Sequence, residues 1–280
     1  MTDFDGKVAV VTGAAAGMGR SLAIQLAERG ASVAICDVDP AGLAETERRC
    51  RRAGAAVEAA IVDMAEREAV SDLAATVQDR FGCAHYVFNN AGIGYAGTVE
   101  RSEYKDVERV MDIDFWGVVH GTKAFLPLLE ASGDGHLVNT SSIFGLFSVP
   151  GSSAYNAAKF AVRGYTEALR QEMLMLRKPV TVTCVHPGFI RTDIAKNATS
   201  ADGPPSAEQL RVFDRLAITS ADAAALKILT AARKGQPKLL IGLDAVILDL
   251  AVRLLGHHYQ WPLAKLVGRL ARSEFLGTKT

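Results

Sequence analysis

The pattern of apolar and polar positions divides most of the chain into short apolar runs that alternate with longer amphipathic stretches. Runs of strand character lie at residues 7–12, 32–37, 56–62, 85–89, 136–141, 180–185 and 238–241. Helices are predicted at 20–28, 40–53, 66–81, 103–130 and 153–177. This alternation predicts an α/β fold, in which about seven parallel strands form a doubly wound sheet flanked by helices. Ligands of such sheets bind outside the carboxyl ends of the strands.

The first strand leads into a glycine-rich turn at the start of a helix. The turn reads Thr12-Gly13-Ala-Ala-Ala-Gly17-Met-Gly19. Gly13 permits a tight turn, and Gly17 and Gly19 let a pyrophosphate approach the backbone closely. The helix N-terminus adds free N–H groups and a partial positive charge. Because strand, turn and helix start occur together, the segment predicts a phosphate-binding site.

An acidic residue ends the second predicted strand. Asp37 follows Gly13 by close to the roughly twenty residues expected of a ribose-binding acid, so its carboxylate is placed to take the hydroxyls of an adenosine ribose. An acid at this position favours NAD over NADP, because a 2′-phosphate would meet a like charge. The alternative is a turn or helix-capping acid within Asp37-Val-Asp-Pro40.

Tyr155 and Lys159 stand four residues apart and therefore lie on one face of a predicted helix. A free phenol has a pKa of about 10 and is a poor base at neutral pH. An ammonium roughly 4 Å away, at an effective dielectric of about 20, contributes at most about 4 kcal/mol, or about three pKa units. Lys159 is expected to lower the pKa of Tyr155 and make it a general acid/base, with Ser142 holding a substrate oxygen. Taken alone, the same pair also fits two surface side chains.

These motifs occur with two others in a recognisable order and spacing: Thr12-Gly-x-x-x-Gly17-x-Gly19, Asn89-Asn-Ala-Gly92, Ser142, Tyr155-x-x-x-Lys159 and Pro187-Gly188. From about residue 5 to about residue 242, the chain resembles the short-chain dehydrogenases/reductases. The resemblance implies one Rossmann-like catalytic domain over residues 1–242, and hydride transfer between NAD or NADP and an alcohol or carbonyl. It also implies a homodimer or homotetramer formed through the helices near 103–130 and 153–177.

The resemblance further implies roles for individual positions. Asp63 and the next backbone amide contact the adenine ring, although Asp63 equally suits an N-cap of the helix at 66–81. Asn89, Ala91 and Gly92 lie along the cofactor ribose and stabilise the centre of the sheet. The implied cofactor contacts are Gly13, Ala15, Gly17, Met18, Gly19, Asp37, Asp63, Met64, Asn90, Ala91, Gly92, Tyr155, Lys159, Pro187, Gly188, Ile190 and Thr192, and the implied catalytic residues are Ser142, Tyr155, Lys159 and Asp114.

One position departs from the family pattern. The fourth catalytic member of the family is an asparagine that distorts its helix and exposes a backbone carbonyl, which holds a water leading to the lysine. In Met111-Asp-Ile-Asp114-Phe-Trp-Gly117, Asp114 occupies that position. An ionised carboxylate accepts hydrogen bonds but cannot donate them, whereas the backbone carbonyl is unchanged. The relay is therefore left open, and Asp114 either adds a negative charge near Lys159 or stays protonated.

The predicted function is NAD(H)-dependent interconversion of a hydrophobic secondary alcohol and its ketone. The segment 193–215 is expected to form a mobile loop over the substrate. No catalytic role is expected for His186. The alternatives are an NADP-linked carbonyl reductase and a non-catalytic nucleotide-sensing or scaffold protein. The expected walls of the substrate pocket are Tyr95, Ile143, Phe144, Phe147, Phe189 and Ile190, with the alternative that several of them belong to the hydrophobic core.

Residues 243–280 form an extension of the predicted catalytic domain and read as two amphipathic helices. Asp249 and Arg253 interrupt the apolar run, so a membrane span is not expected. The favoured interpretation is that the apolar stripe packs on the domain or on another subunit. The alternative is a helix pair lying on a membrane surface with its basic residues outward: Lys265, Arg269 and Arg272.

Composition narrows the remaining classes. Lys plus Arg and Asp plus Glu number 31 each, so the net charge is about zero and no nucleic-acid partner is expected. The four cysteines show no metal-binding spacing, so no metal site is expected. Cys36 and Cys184 lie in apolar runs, as in proteins of a reducing compartment. With the first strand starting at Lys7, the interpretation is a cytoplasmic protein without a signal peptide.

Overall fold

Seven parallel strands form the main sheet of the computed structural model, which describes residues 3–201 and 203–274. The strands are β1 (Val8–Thr12), β2 (Ser32–Asp37), β3 (Val57–Ile61), β4 (Tyr86–Asn89), β5 (Gly135–Thr140), β6 (Val180–Pro187) and β7 (Lys238–Ile241). They lie in the order β7-β6-β5-β4-β1-β2-β3, with every neighbouring pair parallel. The predicted doubly wound sheet is confirmed.

Helices cover both faces of the sheet. They are α1 (Gly17–Glu28), α2 (Pro40–Arg52), α3 (Arg67–Phe81), α4 (Tyr104–Met111), α5 (Gly117–Ala131), α6 (Ser153–Met175), α7 (Ala207–Leu216), α8 (Ala221–Arg233), α9 (Leu243–Leu255) and α10 (Gln260–Glu274). Leu22 of α1 and Ile228 of α8 bury in one hydrophobic cluster. Phe125 of α5 and Leu169 of α6 bury in a second cluster on the other face. Burial on both faces explains why the strands are continuously apolar.

The strand order reverses between β1 and β4, and sheets of this kind bind ligands at the crevice where the order reverses. Gly13 follows β1, Asp37 ends β2, Asn89 ends β4, and Ser142 comes shortly after β5. The fold therefore brings residues that are distant in sequence to one edge of the sheet.

The helix predicted at 103–130 has a break in the middle. Between α4 and α5, the segment Asp112–Trp116 is π-helical. A π turn holds more residues than an α turn, and such turns are frequent at functional sites. Asp114 lies at the centre of this segment and is fully buried. The helix distortion that the resemblance implies for this position is present.

Two helices lie where the sequence analysis predicts none. Helix α7 occupies the end of the segment expected to be a loop, and Ser206 and Gln209 form a capping box at its start. The Pro204-Pro205 pair just before the cap obscures this signal in the sequence. Helix α8 begins after Ser220, whose side chain accepts a hydrogen bond from the Ala223 amide at 3.2 Å. The loop expectation is therefore wrong for the residues of α7.

The C-terminal helices have one face against the rest of the protein. Ala245 and Leu248 of α9 pack in a cluster with Ile143 and Phe147, whereas the opposite face of α9 is exposed. The predicted packing thus holds for one face alone. No helix in residues 3–201 or 203–274 is long and apolar enough to cross a membrane. The side chains of Arg269 and Arg272, predicted to point outward, lie outside the described part.

Candidate active site

The glycine-rich turn has the backbone geometry that its sequence predicts. Gly13 and Gly17 have φ values of +67° and +52°, in the left-handed region that favours glycine. A Cβ on Gly19 would lie 2.0 Å from the carbonyl oxygen of Gly13. Helix α1 begins at Gly17, so its N-terminal amides face this turn. The turn can therefore take a phosphate group against bare backbone.

Asp37 lies beside this turn. Its Oδ2 accepts a hydrogen bond from the Ala15 amide at 2.8 Å, and its Oδ1 accepts one from the Asp39 amide at 3.0 Å. The N-cap of α2 is Asp39, whose side chain accepts from the Ala41 amide. Asp37 is therefore not the helix cap, although it does stabilise the turn. Met18, also predicted to contact the cofactor, is partly buried against the hydrophobic core.

The segment after β4 is tied to the end of β1. Thr12 Oγ1 accepts hydrogen bonds from the amides of Asn90 and Ala91, both at 3.0 Å. Asn90 Nδ2 donates to the Thr12 carbonyl at 3.0 Å. Asn89 instead points into the protein, where its Nδ2 donates to Asn139 Oδ1 at 2.8 Å. Asn89 thus stabilises the centre of the sheet, whereas Asn90 and Ala91 border the glycine turn.

Asp63 and Met64, which follow β3, differ in their contacts: Asp63 binds a backbone amide, and the Met64 side chain is in the core. Asp63 Oδ1 accepts a hydrogen bond from the Ala65 amide at 2.9 Å, while the N-cap position of α3 belongs to Glu66. The helix-cap interpretation of Asp63 is therefore wrong. The Met64 side chain is buried in the core, which leaves its backbone as the part suited to a ligand.

The turn after β6 is held by a residue that the sequence analysis misses. Asp244 Oδ2, from the start of α9, accepts a hydrogen bond from the Phe189 amide at 2.8 Å. A Cβ on Gly188 would lie 2.1 Å from the same oxygen, so the Pro187-Gly188 turn accommodates Asp244 only because it carries glycine. Nothing local in the sequence links positions so far apart.

Ile190 and Thr192, two further predicted cofactor contacts, follow the Pro187-Gly188 turn and differ in how deeply they are buried. Ile190 is buried in the core and pairs with Thr219 in a short parallel bridge. Thr192 lies against the glycine turn, because a Cβ on Gly17 would be 3.1 Å from its Cγ2. Of the two, Thr192 is the one placed beside the phosphate-binding turn.

Ser142, Tyr155 and Lys159 come together at the carboxyl edge of the sheet. Ser142 Oγ accepts a hydrogen bond from the Phe144 amide at 3.1 Å and also interacts with the Tyr155 phenol. Lys159 Nζ lies 5.5 Å from the centre of the Tyr155 ring, and Gly92 is beside it, since a Cβ there would lie 3.2 Å from Nζ. The pair is thus part of a site and does not consist of two surface residues.

Asp114 is the direct partner of Lys159. Its Oδ2 lies 3.1 Å from Lys159 Nζ, and its Oδ1 accepts a hydrogen bond from the Ile93 amide at 2.7 Å. Burial raises the pKa of Asp114, and Lys159 opposes that rise. Burial disfavours the charged form of Lys159, but Asp114 and Tyr155 more than offset this and its pKa is raised. The two groups therefore form a buried pair in which each offsets the desolvation of the other.

The pKa of Tyr155 differs from the expectation. Burial raises it, Lys159 lowers it, and Asp114 raises it again, so that the pKa of the phenol is above its ordinary value. Lys159 lowers the pKa of the phenol as expected, but burial and Asp114 outweigh the ammonium, so the pKa does not fall toward neutral pH. Tyr155 is accordingly protonated at neutral pH and suited to donate a proton.

His186 is hydrogen-bonded to the backbone of Ser142. It is fully buried, and its Nδ1 lies 3.0 Å from the Ser142 carbonyl oxygen. Burial lowers the pKa of His186 to about 4, so the ring is neutral. As an N–H donor to that carbonyl, His186 positions Ser142 and does not itself reach the site.

The apolar side of the site is a series of aromatic contacts. The ring of Phe144 lies 6.2 Å from that of Tyr155 and 6.3 Å from that of Phe189, and Phe189 lies 5.9 Å from Phe213 of α7. All are edge-to-face contacts. Phe213 is missed by the sequence analysis because its segment is expected to be a loop. Four predicted wall residues are instead buried in the core: Tyr95, Ile143, Phe147 and Ile190.

Comparisons with known proteins give concordant results. Residues 7–203 match the model of a family described as short chain dehydrogenase. The chain is 56% identical over 261 residues to the Mycobacterium tuberculosis protein SadH, covering 93% of this chain and 95% of SadH. It is 32% identical over 212 residues to human estradiol 17-beta-dehydrogenase 11, covering 75% of this chain and 70% of the human protein.

Solved structures show the same likeness. A short chain dehydrogenase/reductase from Burkholderia phymatum in complex with NAD is 31% identical, with a TM-score of 0.83 over 93% of this chain and 97% of that chain. Carveol dehydrogenase from Mycobacterium avium in complex with NAD shares the fold, with a TM-score of 0.79 at 24% identity over 88% of this chain and 100% of that chain.

Proposed function

The chain belongs to the short-chain dehydrogenase family, and from that premise we propose that it interconverts a hydrophobic secondary alcohol and its ketone with NAD(H). The observation that carries the proposal is the grouping of Ser142, Tyr155 and Lys159 beside the glycine turn. The crystal structure of the similar Burkholderia phymatum protein is of its complex with NAD. This supports NAD as the cofactor of the present chain. When bound, NAD supplies the acceptor for the hydride of the alcohol carbon.

The residues around the turn fit this cofactor. Gly13, Gly17 and Gly19 leave the backbone open to a pyrophosphate, and the start of α1 supplies amide donors. The Asp37 carboxylate lies at the end of β2, where it can accept hydrogen bonds from ribose hydroxyls and repel a 2′-phosphate. These features support NAD over NADP.

In the oxidation direction, Ser142 orients the substrate hydroxyl and Tyr155 removes its proton. Lys159 stabilises the Tyr155 phenolate that accepts this proton, so that the phenol is protonated after the step, and it binds the nicotinamide ribose. In the reduction direction, Tyr155 starts protonated and delivers its proton to the carbonyl oxygen. The raised pKa of Tyr155 favours this second role at neutral pH.

The aromatic side of the site supports a hydrophobic substrate. Phe144, Phe189 and Phe213 are half-buried, so each leaves part of an apolar ring accessible, in a series that begins with Phe144 beside Tyr155. A ketone or alcohol with an extended apolar body is thus the substrate class that fits.

A turnover screen tests this function. Secondary alcohols with apolar groups of increasing size are supplied with NAD, and formation of NADH is followed by absorbance. We expect kcat/KM to rise with the size of the apolar group. We expect it to be low when NADP replaces NAD. If NADH binds but no alcohol or ketone reacts, the protein is a nucleotide-sensing or scaffold protein instead. If NADP supports faster turnover than NAD, the protein is the NADP-linked reductase.

We also propose that the protein is a cytoplasmic homodimer or homotetramer. Trp116 and Phe160 are large apolar side chains that remain exposed at the π segment and on α6, on the long helices that the resemblance implies in assembly. The cysteines at 36, 50, 83 and 184 are unpaired, in agreement with a reducing compartment.

A further inference from the structure

Helix α9 has an exposed face that is almost entirely apolar. Its side chains follow one another at helical spacing along that face: Leu243, Val246, Ile247, Leu250 and Leu254. Each is about half exposed or more, up to 77% for Leu254. A contiguous exposed apolar patch commonly marks a contact surface for a protein or a membrane. This outer face of α9 therefore needs a partner other than the domain on which the helix rests.

The acidic residues of α9 are turned away from the outer face. Asp249 pairs with Lys238 Nζ at 2.9 Å and with Arg253 Nε at 3.1 Å, and Asp244 holds the Phe189 amide. Arg253 itself borders the outer face, and its side chain is largely exposed. Among the described residues of α9, the outer face thus combines apolar side chains with positive charge and carries no acid.

Helix α10 also exposes apolar side chains together with a basic one. Trp261 of α10 is 67% exposed, and Lys265 Nζ lies 3.6 Å from the centre of its ring. Leu266 is also exposed. Tryptophan and lysine both present an apolar body and a polar tip, which suits the boundary between water and lipid.

We infer that the outer face of α9, together with Trp261 and Lys265, docks on the surface of an anionic lipid bilayer. Amphipathic helices with apolar and basic side chains bind in the plane of such surfaces. A second copy of this chain is a poorer match, because a two-fold interface over this face would also bring together the basic side chains Arg253 and Lys265 of both copies. The inner face of α9 contacts Phe189 and Ile143, so the docked surface lies next to the apolar side of the active site.

The test is flotation of the full-length protein with lipid vesicles. Vesicles of phosphatidylcholine with phosphatidylglycerol are compared with vesicles of phosphatidylcholine alone. Leu250→Glu puts an acid at the middle of the outer face. Leu174→Glu is the matched control, because Leu174 is an equally exposed leucine at the far end of α6. Circular dichroism checks that both variants fold.

We expect the protein to float with anionic vesicles, and less so with neutral ones or at high salt. Leu250→Glu should weaken vesicle binding roughly tenfold or more, while Leu174→Glu leaves it unchanged. NAD-linked turnover of a soluble alcohol should be unaffected by either variant, so this test is independent of the proposed function.

No preference for anionic vesicles, or an equal loss of vesicle binding in both variants, would overturn the inference. So would a protein that fails to float but whose mass in solution falls with Leu250→Glu, since a second copy would then cover the face.

Discussion

Lys159 and Asp114 form an ion pair of 3.1 Å between side chains that are almost completely buried. Together they carry no net charge, so the pull of the ammonium on the neighbouring Tyr155 phenol is partly cancelled. An asparagine at position 114 would leave that pull intact. The departure from the family pattern therefore adds to the effect of burial in raising the pKa of the Tyr155 phenol.

We predict that Asp114→Asn shifts the pH dependence of turnover to lower pH. Oxidation requires the ionised phenol and rises as pH passes the pKa of Tyr155. Removing the negative charge of Asp114 lowers that pKa, so the rise in kcat/KM should occur at lower pH. Activity should stay within about tenfold at the respective optimum, because the amide oxygen of the introduced asparagine can still accept the hydrogen bond from Ile93. Initial rates of alcohol oxidation across the pH range measure this.

An unchanged pH profile would mean that Asp114 is protonated or that its charge is screened. A loss of more than about a hundredfold in a folded Asp114→Asn protein would show that the carboxylate acts directly on the substrate or cofactor. A thermal melt of both proteins is the control, because removing one partner of a buried pair is commonly destabilising by about 3–5 kcal/mol.

We predict that Tyr155→Phe abolishes turnover and leaves cofactor binding intact. The phenol oxygen moves the proton but makes no contact at the glycine turn, and a general acid/base contributes about 10²–10⁴-fold. Tyr165→Phe, a half-buried tyrosine on the same helix, is the matched control and should keep its activity. Retention of more than a few per cent of turnover in Tyr155→Phe would refute the assignment. Steady-state rates and NADH fluorescence titrations report the two properties separately.

We predict that Asp37→Ala with Val38→Arg narrows or reverses the preference for NAD over NADP. The change removes the carboxylate that we propose binds the ribose hydroxyls and adds a cation at an exposed position beside it. Dissociation constants for NADH and NADPH measure the preference. Asp39→Ala is the control, because it removes the cap of α2 at a cost of about 1 kcal/mol of stability without a change of preference. Tighter binding of NADPH than NADH by the unchanged protein would contradict the role of Asp37.

We predict that Asp244→Ala raises KM for hydrophobic substrates. The change leaves the Phe189 amide without its acceptor and loosens the turn that carries an aromatic wall of the site. KM should rise severalfold, with kcat less affected, because no catalytic group moves. Asp249→Asn is the matched control, since Asp249 lies on the same helix but pairs with Lys238 and Arg253 away from Phe189. Equal effects of both variants would mean that helix packing alone is responsible.

The strands and the glycine turn are predictable from sequence because their signals are local. A run of β-branched residues and a glycine at a positive φ each reflect the conformation of their own segment. Asp244 is not predictable in this way, since its contact with Phe189 spans much of the C-terminal third of the chain. Phe213 is missed with its helix, whose cap follows a proline pair.

The net pKa of Tyr155 could not be predicted from the Tyr155–Lys159 spacing for a related reason. The spacing fixes which charge is near the phenol, but not how deeply the phenol is buried or that a carboxylate neutralises the ammonium. Both of these depend on the packing of α5 and α6 around the carboxyl end of the sheet. Sequence therefore identifies the groups of the site more reliably than it predicts their proton affinities.

The π segment also constrains how this chain can change during evolution. It behaves as a one-residue insertion within a helix, and loss of any one residue at 112–116 would restore a regular α-helical phase. Each residue of an α-helix turns it by about 100°, so such a deletion would rotate α4 relative to α5. Either Asp114 would leave Lys159 or Val110 would leave its buried position. Substitutions in this segment can therefore be tolerated where a shortening cannot.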